Sequence, residues 1–156
     1  MIPPRFTCDD LNINPPLEIR KLPLETRSLM LLVEDPDATG GTWLHWLVWN
    51  VPVRQHIKEN SVPGIEGMND FNLHHYGGPC PPSGTHRYFF KVFALDVMLD
   101  IPHNASKEMA EKAREGHVVA YGEIMGLYKR RTADDKNLSP YKKRKATGSF
   151  FISEVF

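Results

Sequence analysis

Short apolar runs, separated by prolines and glycines, organise most of the chain. Two of the runs end directly before Pro36 and Pro52, residues that cannot continue a central strand. Both runs are apolar at consecutive positions, a pattern typical of central strands that are covered on both faces. Aromatic and β-branched residues recur in two later runs. The pattern predicts four main strands, over residues 28–35, 43–51, 86–95 and 117–124.

One helix is predicted between the last two of these strands. The Ser106 side chain can cap its first turn, and Gly116 can end it. Met109, Ala110 and Ala113 recur at helical spacing and predict its apolar face. The thirteen prolines and eleven glycines of the chain favour strands joined by long connections. We therefore expect a mainly β fold, a β-sandwich with one or two short helices.

The composition changes after the last predicted strand. Residues 132–148 are polar and basic without a period, and residues 149–156 are apolar again. We expect residues 1–131 to form one β-sandwich domain and residues 132–156 to be a basic extension, either flexible or docked through its end. The four cations at 142–145 lack interleaved aromatic residues, so a solvated face explains them better than a phosphate-binding surface.

Charge and cysteine content limit the classes of function. Nineteen basic and nineteen acidic residues cancel, so net charge does not direct the protein to nucleic acid or to an anionic membrane. We expect no signal peptide and no transmembrane segment, since no run approaches about 18 apolar residues. The two cysteines, Cys8 and Cys80, form no CxxC motif. Together these features predict a soluble cytoplasmic protein with reduced thiols.

A stiff loop precedes the third predicted strand. From Pro79 to Pro82, three of four residues are prolines, and glycines lie on both sides. Proline fixes φ and removes a backbone donor, while glycine permits turns that are closed to other residues. The loop delivers His86 and Tyr88 to the start of a buried strand, and amides at residues 84–85 could donate to an anion. This arrangement predicts a binding site.

Strand geometry brings further polar side chains to the same place. Asp35 ends the first strand, and His45 lies near the start of the second. Their connection is short enough for an antiparallel return, so the two side chains should meet at one end of the sheet. If the strand that His86 opens begins at that end, one pocket collects Asp35, His45, His86 and Tyr88.

Structural roles for the same residues remain open. A single histidine in an apolar strand is often a hydrogen-bonded core residue, which applies to His45. Asp35 can cap the turn that follows it, a role for which Asp37 is better placed. The three tryptophans of the second strand are expected in the core. Strict alternation puts His45 on the same face as Trp43, Leu47 and Trp49.

Three sequence blocks make the chain similar to a known family. They are VEDPDA, HWLVWNVP and YGGPCPPSGTHRY, at residues 33–38, 45–52 and 76–88. The blocks resemble the phosphatidylethanolamine-binding protein family, and most closely its bacterial and archaeal branch, often called Raf-kinase-inhibitor-like proteins. Residues 6–17 and 67–71 look like that branch too. The match runs in order over residues 6–130, and relatives of the branch usually end near residue 130.

The resemblance implies a fold, a site and a function. The fold is a β-sandwich of two antiparallel sheets with a small anion pocket at one end. The function is that of a non-catalytic binding protein without a cofactor, whose ligand is a phosphate-like group or a phospholipid head group. Regulation of a kinase or a protease partner is also implied. The pocket wall would consist of Asp35, Trp43, His45, Pro81, Pro82, His86 and Tyr88.

A metal- or thiol-dependent hydrolase is the alternative interpretation. Asp35, His45 and His86 are a two-histidine, one-carboxylate set of the kind that can bind a metal. Cys80 could instead be a thiolate nucleophile paired with His86. The metal version lacks the close helical spacing of HExxH sites. The thiol version lacks a basic residue near Cys80 in sequence that would favour the thiolate. We therefore favour the binding protein over the enzyme.

Overall fold

A computed structural model describes residues 1–131 and 150–152 of the chain. The remainder of the predicted extension, including the cations at 142–145, lies outside the described residues. A short 3-10 helix, Pro4–Phe6, precedes the first strand. The further elements are β1 (Leu17–Ile19), β2 (Ser28–Asp35), β3 (Trp43–Val51), β4 (His56–Ile57), β5 (Ile65–Glu66), β6 (His86–Leu95), α1 (Lys107–Arg114), β7 (Val118–Tyr128) and β8 (Phe150–Ile152).

The strands form two sheets, which confirms the predicted mainly β, two-sheet fold. The larger sheet is antiparallel throughout, in the order β5-β3-β2-β6-β7. The smaller sheet has the order β4-β1-β8, in which β4 pairs with β1 antiparallel and β8 pairs with β1 parallel. The parallel pair departs from the wholly antiparallel expectation. Of the predicted extension, the structure describes only residues 150–152. The predicted domain boundary at residue 131 therefore stays a prediction.

The larger sheet is covered on both faces, which explains its consecutive apolar positions. One face packs on the small sheet in a core that includes Leu31, Val33 and Trp46, together with Leu17 and Ile57. The opposite face packs on α1 and the segment before it, in a second core. Because β2 is central, all eight of its residues are buried. Burial on both sides removes the polar-apolar alternation that marks a half-exposed strand.

The helix follows its prediction except at one position. The Ser106 hydroxyl accepts a hydrogen bond from Met109 N at 3.2 Å and caps the first turn. Gly116 has a φ of +75°, the left-handed conformation expected just past a helix end. Ala110 is buried, and Ala113 packs against the same core. Met109 was predicted on this buried face, but its side chain is 47% exposed because the helix turns that position toward solvent.

A β-bulge interrupts the pairing of β3 with β2 and corrects the predicted phase. Val33 pairs with Trp46 and Glu34 pairs with Leu44, so His45 is the extra residue between them. An extra residue exchanges the two faces of a strand beyond it. His45 therefore does not share a face with Leu47 and Trp49, which pack in the second core. The strict alternation expected from the sequence was wrong at this point.

The predicted reduced thiols were also wrong. Cys8 and Cys80 form a disulfide with a Cα–Cα distance of 5.4 Å. The two residues are 72 positions apart, and spacing alone does not show that the amino-terminal segment lies against the proline-rich loop. A hydrogen bond from Cys8 N to Pro79 O at 3.1 Å joins the same two segments. The covalent bond therefore fixes one end of the loop that carries Pro81 and Pro82.

Within residues 1–131 and 150–152, no helix is both long enough and apolar enough to cross a membrane. The α-helix that the structure describes, α1, has only eight residues. The cytoplasmic location expected from the sequence stays a prediction.

We expect the double variant Cys8→Ser, Cys80→Ser to be less stable by about 2–5 kcal/mol. The reason is that the cross-link no longer restricts the unfolded chain between residues 72 positions apart. Urea unfolding of both proteins, with and without dithiothreitol, measures the difference. Dithiothreitol should destabilise the wild type and leave the double variant unchanged. Equal midpoints for oxidised wild type and double variant would contradict the prediction.

Candidate functional site

A cavity of about 230 Å³ lies where β2 ends and where β3 and β6 begin. All seven residues predicted for the pocket wall line it: Asp35, Trp43, His45, Pro81, Pro82, His86 and Tyr88. Sequence reasoning did not include four further lining residues, which are Ala38, Thr39, Phe71 and Cys80. The seven are thus brought together as expected, while their role in binding stays a prediction.

Antiparallel pairing on both sides of β2 produces this convergence. Asp35, the last residue of β2, pairs with Trp43, the first residue of β3. On the other side, Glu34 pairs with Phe89 in β6, so the start of β6 also lies beside the end of β2. One sheet edge therefore presents side chains from three strands. The loops at 36–42 and 76–85 close the cavity above this edge.

Asp35 and His86 form the buried polar pair of the cavity. His86 Nδ1 donates to Asp35 Oδ2 at 2.7 Å, and the second carboxylate oxygen accepts from Asp37 N at 2.8 Å. Asp35 is only 3% exposed and His86 9%. Since the carboxylate accepts, Nδ1 of His86 carries its proton, and Nε2 is the ring nitrogen left for a ligand. Asp35 thereby orients the imidazole.

His45 is held by a different kind of contact. Its Nδ1 donates to the backbone oxygen of Gly77 at 2.6 Å, because a carbonyl can only accept. Burial lowers the pKa of His45 below its ordinary value of 6.5, although the Gly77 bond and the Asp35 charge oppose the shift. The ring is therefore neutral at pH 7, and its Nε2 is an acceptor. His45 Nε2 can therefore accept a hydrogen bond from a ligand but cannot donate one.

Two other lining residues hold buried donors without an acceptor. Neither Tyr88 Oη nor Trp43 Nε1 has a hydrogen-bond partner among the described residues. Burial, followed by the nearby Asp35 charge, raises the pKa of Tyr88 far above its ordinary value, so the hydroxyl keeps its proton. The Asp35 charge is thus close enough to raise the pKa of this hydroxyl. The two groups are not in the geometry of a hydrogen bond, however. Unsatisfied buried donors are uncommon in folded proteins and call for an acceptor.

Phe71 completes an aromatic wall that the sequence did not reveal. Its ring meets Trp43 and His45 edge-on, at centroid distances of 5.5 and 5.2 Å. Tyr88 meets His45 in the same way at 5.3 Å. A Cβ on Gly77 would lie 2.6 Å from the Phe71 ring, so glycine is required where the loop passes this side chain. The family-like block at 67–71 was the available signal for Phe71.

Asn69 holds this block against the bulge. Its side-chain amide donates to His45 O at 3.0 Å and to His75 O at 2.8 Å, and its oxygen accepts from Phe71 N and Leu73 N. Gly77 N also donates to His45 O, at 3.0 Å. The carbonyl of the bulged residue is therefore bonded to the neighbouring loop.

Asp35 Oδ1 accepts from Asp37 N, so Asp35 caps the turn after β2. Asp37 was predicted to be better placed for that cap, but it has a different structural role. Its carboxylate accepts from the backbone N and the guanidinium of Arg87, with distances of 2.7–2.9 Å. These hydrogen bonds lower the pKa of Asp37 to about 2. The pair fastens the turn after β2 to the start of β6. Since Ala38 and Thr39 belong to that turn, Asp37 fixes the rim of the cavity.

The described residues give the hydrolase alternative no support. Within residues 1–131 and 150–152, no group of three or more histidine, cysteine, aspartate or glutamate side chains is arranged to hold a metal ion. Cys80 is bonded to Cys8, so it is not a free thiolate in this state. The thiol version of the alternative is therefore contradicted.

The family model described as phosphatidylethanolamine-binding protein matches residues 1–129. The chain belongs to this family. The resemblance noted from the sequence blocks is thereby confirmed. A relative, the UPF0098 protein PH1269 of Pyrococcus horikoshii, is 45% identical over 141 residues, and the match covers 83% of this chain and 71% of that protein.

Two crystal structures from the phosphatidylethanolamine-binding protein family are similar to this chain. A homologue from Chlamydia trachomatis superposes with a TM-score of 0.80 at 37% identity, covering 83% of this chain and 90% of that one. YbcL of E. coli, described as a new member of the mammalian family, gives 0.72 at 31% identity, covering 81% and 85%.

We expect His45 to make the stability of the protein depend on pH. Its pKa is lowered on folding, so below about pH 6.5 the unfolded chain binds a proton that the folded chain does not. Stability should therefore fall as the pH drops through this range. In His45→Asn, whose side-chain amide can take the position of the Nδ1 donor to the Gly77 carbonyl but does not titrate, the fall should be smaller. Urea midpoints across pH test this, and parallel curves for the two proteins would refute it.

Proposed function

We propose that this protein is a non-catalytic binding protein whose cavity takes a phosphate-type anion, either free or as a phospholipid head group. The observation that carries the proposal is the pair of buried donors without acceptors, Tyr88 Oη and Trp43 Nε1, in the cavity wall. Anion oxygens are acceptors, so a phosphate would satisfy both atoms once a small rotation of the side chains opens them to the cavity. His86 adds Nε2 as a third group for the same ligand, oriented by Asp35.

The size of the cavity favours a head group over a whole lipid. Its volume of about 230 Å³ lies below the roughly 300–1,000 Å³ that is typical of sites for drug-sized ligands. Acyl chains would therefore stay outside. The mostly aromatic and proline wall also excludes water from the polar groups at its base, which strengthens their hydrogen bonds to a ligand.

The expected affinity is modest. Each charge-assisted hydrogen bond contributes about 1.5–3 kcal/mol, whereas association costs about 4–15 kcal/mol. Three or four such contacts leave a dissociation constant in the range of about micromolar to millimolar. The Asp35 carboxylate lowers the affinity for anions further, although its hydrogen bonds to His86 and Asp37 N reduce the repulsion.

The neutral state of His45 selects among anions. Its Nε2 is an acceptor, so the ligand contributes the proton of that hydrogen bond. A phosphomonoester supplies one when it is a monoanion, because its second pKa is about 6. A sulfate ester has no such proton near neutral pH. We infer that the cavity prefers a protonated phosphomonoester to a sulfate of the same shape. A phosphodiester head group lacks this proton as well, so it would bind through the other contacts of the cavity without the hydrogen bond to His45.

We expect phosphoethanolamine to shift the ring resonances of His45 and His86 at millimolar concentrations, with ethanolamine alone as the control ligand. Tyr88→Phe should weaken binding about tenfold, since it removes one donor worth about 1–1.5 kcal/mol. Its stability should be unchanged or higher, because the hydroxyl has no partner in the described protein. Histidine-detected NMR titration and urea unfolding provide the two measurements.

Tyr76→Phe is the matched control for Tyr88→Phe. The Tyr76 hydroxyl donates to Phe6 O at 2.9 Å, and Tyr76 does not line this cavity. Its loss should lower stability by about 0.5–1.5 kcal/mol and leave phosphoethanolamine binding unchanged. Histidine resonances that do not move at saturating ligand would rule out the proposal.

We expect the preference for phosphoethanolamine over O-sulfoethanolamine to increase at least about tenfold as the pH falls from about 8 to about 6. Over this range the phosphate gains the proton that neutral His45 accepts, while the sulfate ester does not change. Calorimetric titration of both ligands isolates this effect, since any titration of the protein acts on both. Parallel pH profiles for the two ligands would disprove the proton-sharing contact.

Regulation of a kinase or protease partner rests on the resemblance alone. No contact or surface of the described residues favours it, so it stays a prediction. A pull-down in the presence and absence of phosphoethanolamine tests whether occupancy of the cavity controls any such partner.

A further inference from the structure

A second concavity, of about 300 Å³, lies beside the cavity and is strongly basic. Three consecutive cations that follow β7 form one side, and the tip of the proline-rich loop forms the other. Pro82 also lines the first cavity, so this one loop separates the two. This basic groove is lined by Pro82, Ser83, Gly84, Lys129, Arg130 and Arg131.

Strand pairing places the basic groove next to the cavity that contains His86. His86, the first residue of β6, pairs with Tyr128, the last residue of β7. The cations therefore begin one position beyond the residue opposite His86. With strands about 4.8 Å apart and a rise of about 3.3 Å per residue, the backbones of His86 and Lys129 lie on the order of 6 Å apart. A ligand held by His86 can reach the groove through a linker of a few bonds.

Described residues neutralise only part of this positive charge. Arg130 Nε donates to Asp9 Oδ1 at 3.0 Å, and Asp9 also accepts from the Tyr128 hydroxyl. Lys129 and Arg131 are exposed, and neither forms an ion pair with any residue in 1–131 or 150–152. Lys129 and Arg131 are therefore available to attract an anion in the groove beside the cavity.

The loop side of the groove is open and offers backbone donors. Gly84 has a φ of +70°, and a Cβ placed on it would meet nothing within 4 Å. The amides of residues 83–85 donate to no other described residue. Successive free amides around a left-handed residue form a concavity suited to anions. These amides could add donors for the kind of ligand that the cations attract.

We propose that the basic groove binds a second anionic group of the ligand whose phosphate occupies the cavity. This inference rests on the proposed function and narrows its ligand class. The ligand is a phosphorylated compound with a second phosphate or carboxylate a few bonds from the first. It is either a soluble compound or the head group of a phosphorylated lipid, two sources with the same chemistry.

Propyl phosphate and 1,3-propanediol bisphosphate test the proposal on the full chain. At low salt the bisphosphate should bind about 3- to 10-fold more tightly, the range expected for one or two exposed ion pairs. The advantage should shrink at high salt, where exposed charges are screened. Lys129→Ala combined with Arg131→Ala should abolish it and leave the affinity for propyl phosphate unchanged.

The control variant combines Arg54→Ala with Lys58→Ala. These exposed residues flank β4, line neither concavity, and represent the same loss of charge. The control should retain the full preference for the bisphosphate. A preference that is lost equally in both double variants would show a general charge effect and would overturn the proposal.

Short-chain phosphatidylinositol and its 4-phosphate, each with dibutanoyl chains, provide the lipid arm. A preference for the 4-phosphate that depends on Lys129 and Arg131 identifies a lipid head group as the source, and a preference confined to the propyl pair identifies a soluble ligand. Equal affinities within both pairs would overturn the proposal for the groove alone. Failure of all four compounds to bind would instead overturn the proposed function of the cavity.

Discussion

At His45 the chain leaves the ladder between β2 and β3, and the geometry of the site follows from that departure. The carbonyl of the bulged residue accepts from Asn69 and Gly77, and its ring donates back to the Gly77 carbonyl. The bulge therefore both re-aims an imidazole and fixes the loop that forms the opposite wall of the cavity.

Besides the contact between His45 and Gly77, other interactions fix the position of the loops around the cavity. The disulfide ties the proline-rich loop to the amino-terminal segment, and the Asp37–Arg87 pair fastens the turn after β2. Prolines remove further freedom from the loop itself. A site with few movable parts loses little conformational entropy when a ligand binds. Such preorganisation compensates in part for the small number of polar contacts that a cavity of this size can offer.

The sequence predicted the elements whose burial leaves a clear pattern. The limits of β2, β3 and β6 follow from uninterrupted apolar runs ended by proline or opened by the stiff loop. The convergence of Asp35, His45, His86 and Tyr88 follows from antiparallel geometry at the strand ends.

The bulge was not predictable from alternation, since a strand that is apolar on both faces does not show which residues share a face. Phe71 and the disulfide depend on contacts between segments far apart in sequence, which local patterns do not encode. Met109 fits a helical stripe, but eight residues leave its burial to be decided by the neighbouring core.

The parallel pairing of β8 with β1 gives the carboxy-terminal extension a protective role toward the small sheet. β1 lies between β4 and β8, so both of its edges are occupied. A chain that stopped at residue 131, close to where the family match ends, would leave the β8 side of β1 as an open edge. Unpaired amides and carbonyls on such an edge are a template for the strands of other molecules. Aggregation would be the first symptom of that truncation.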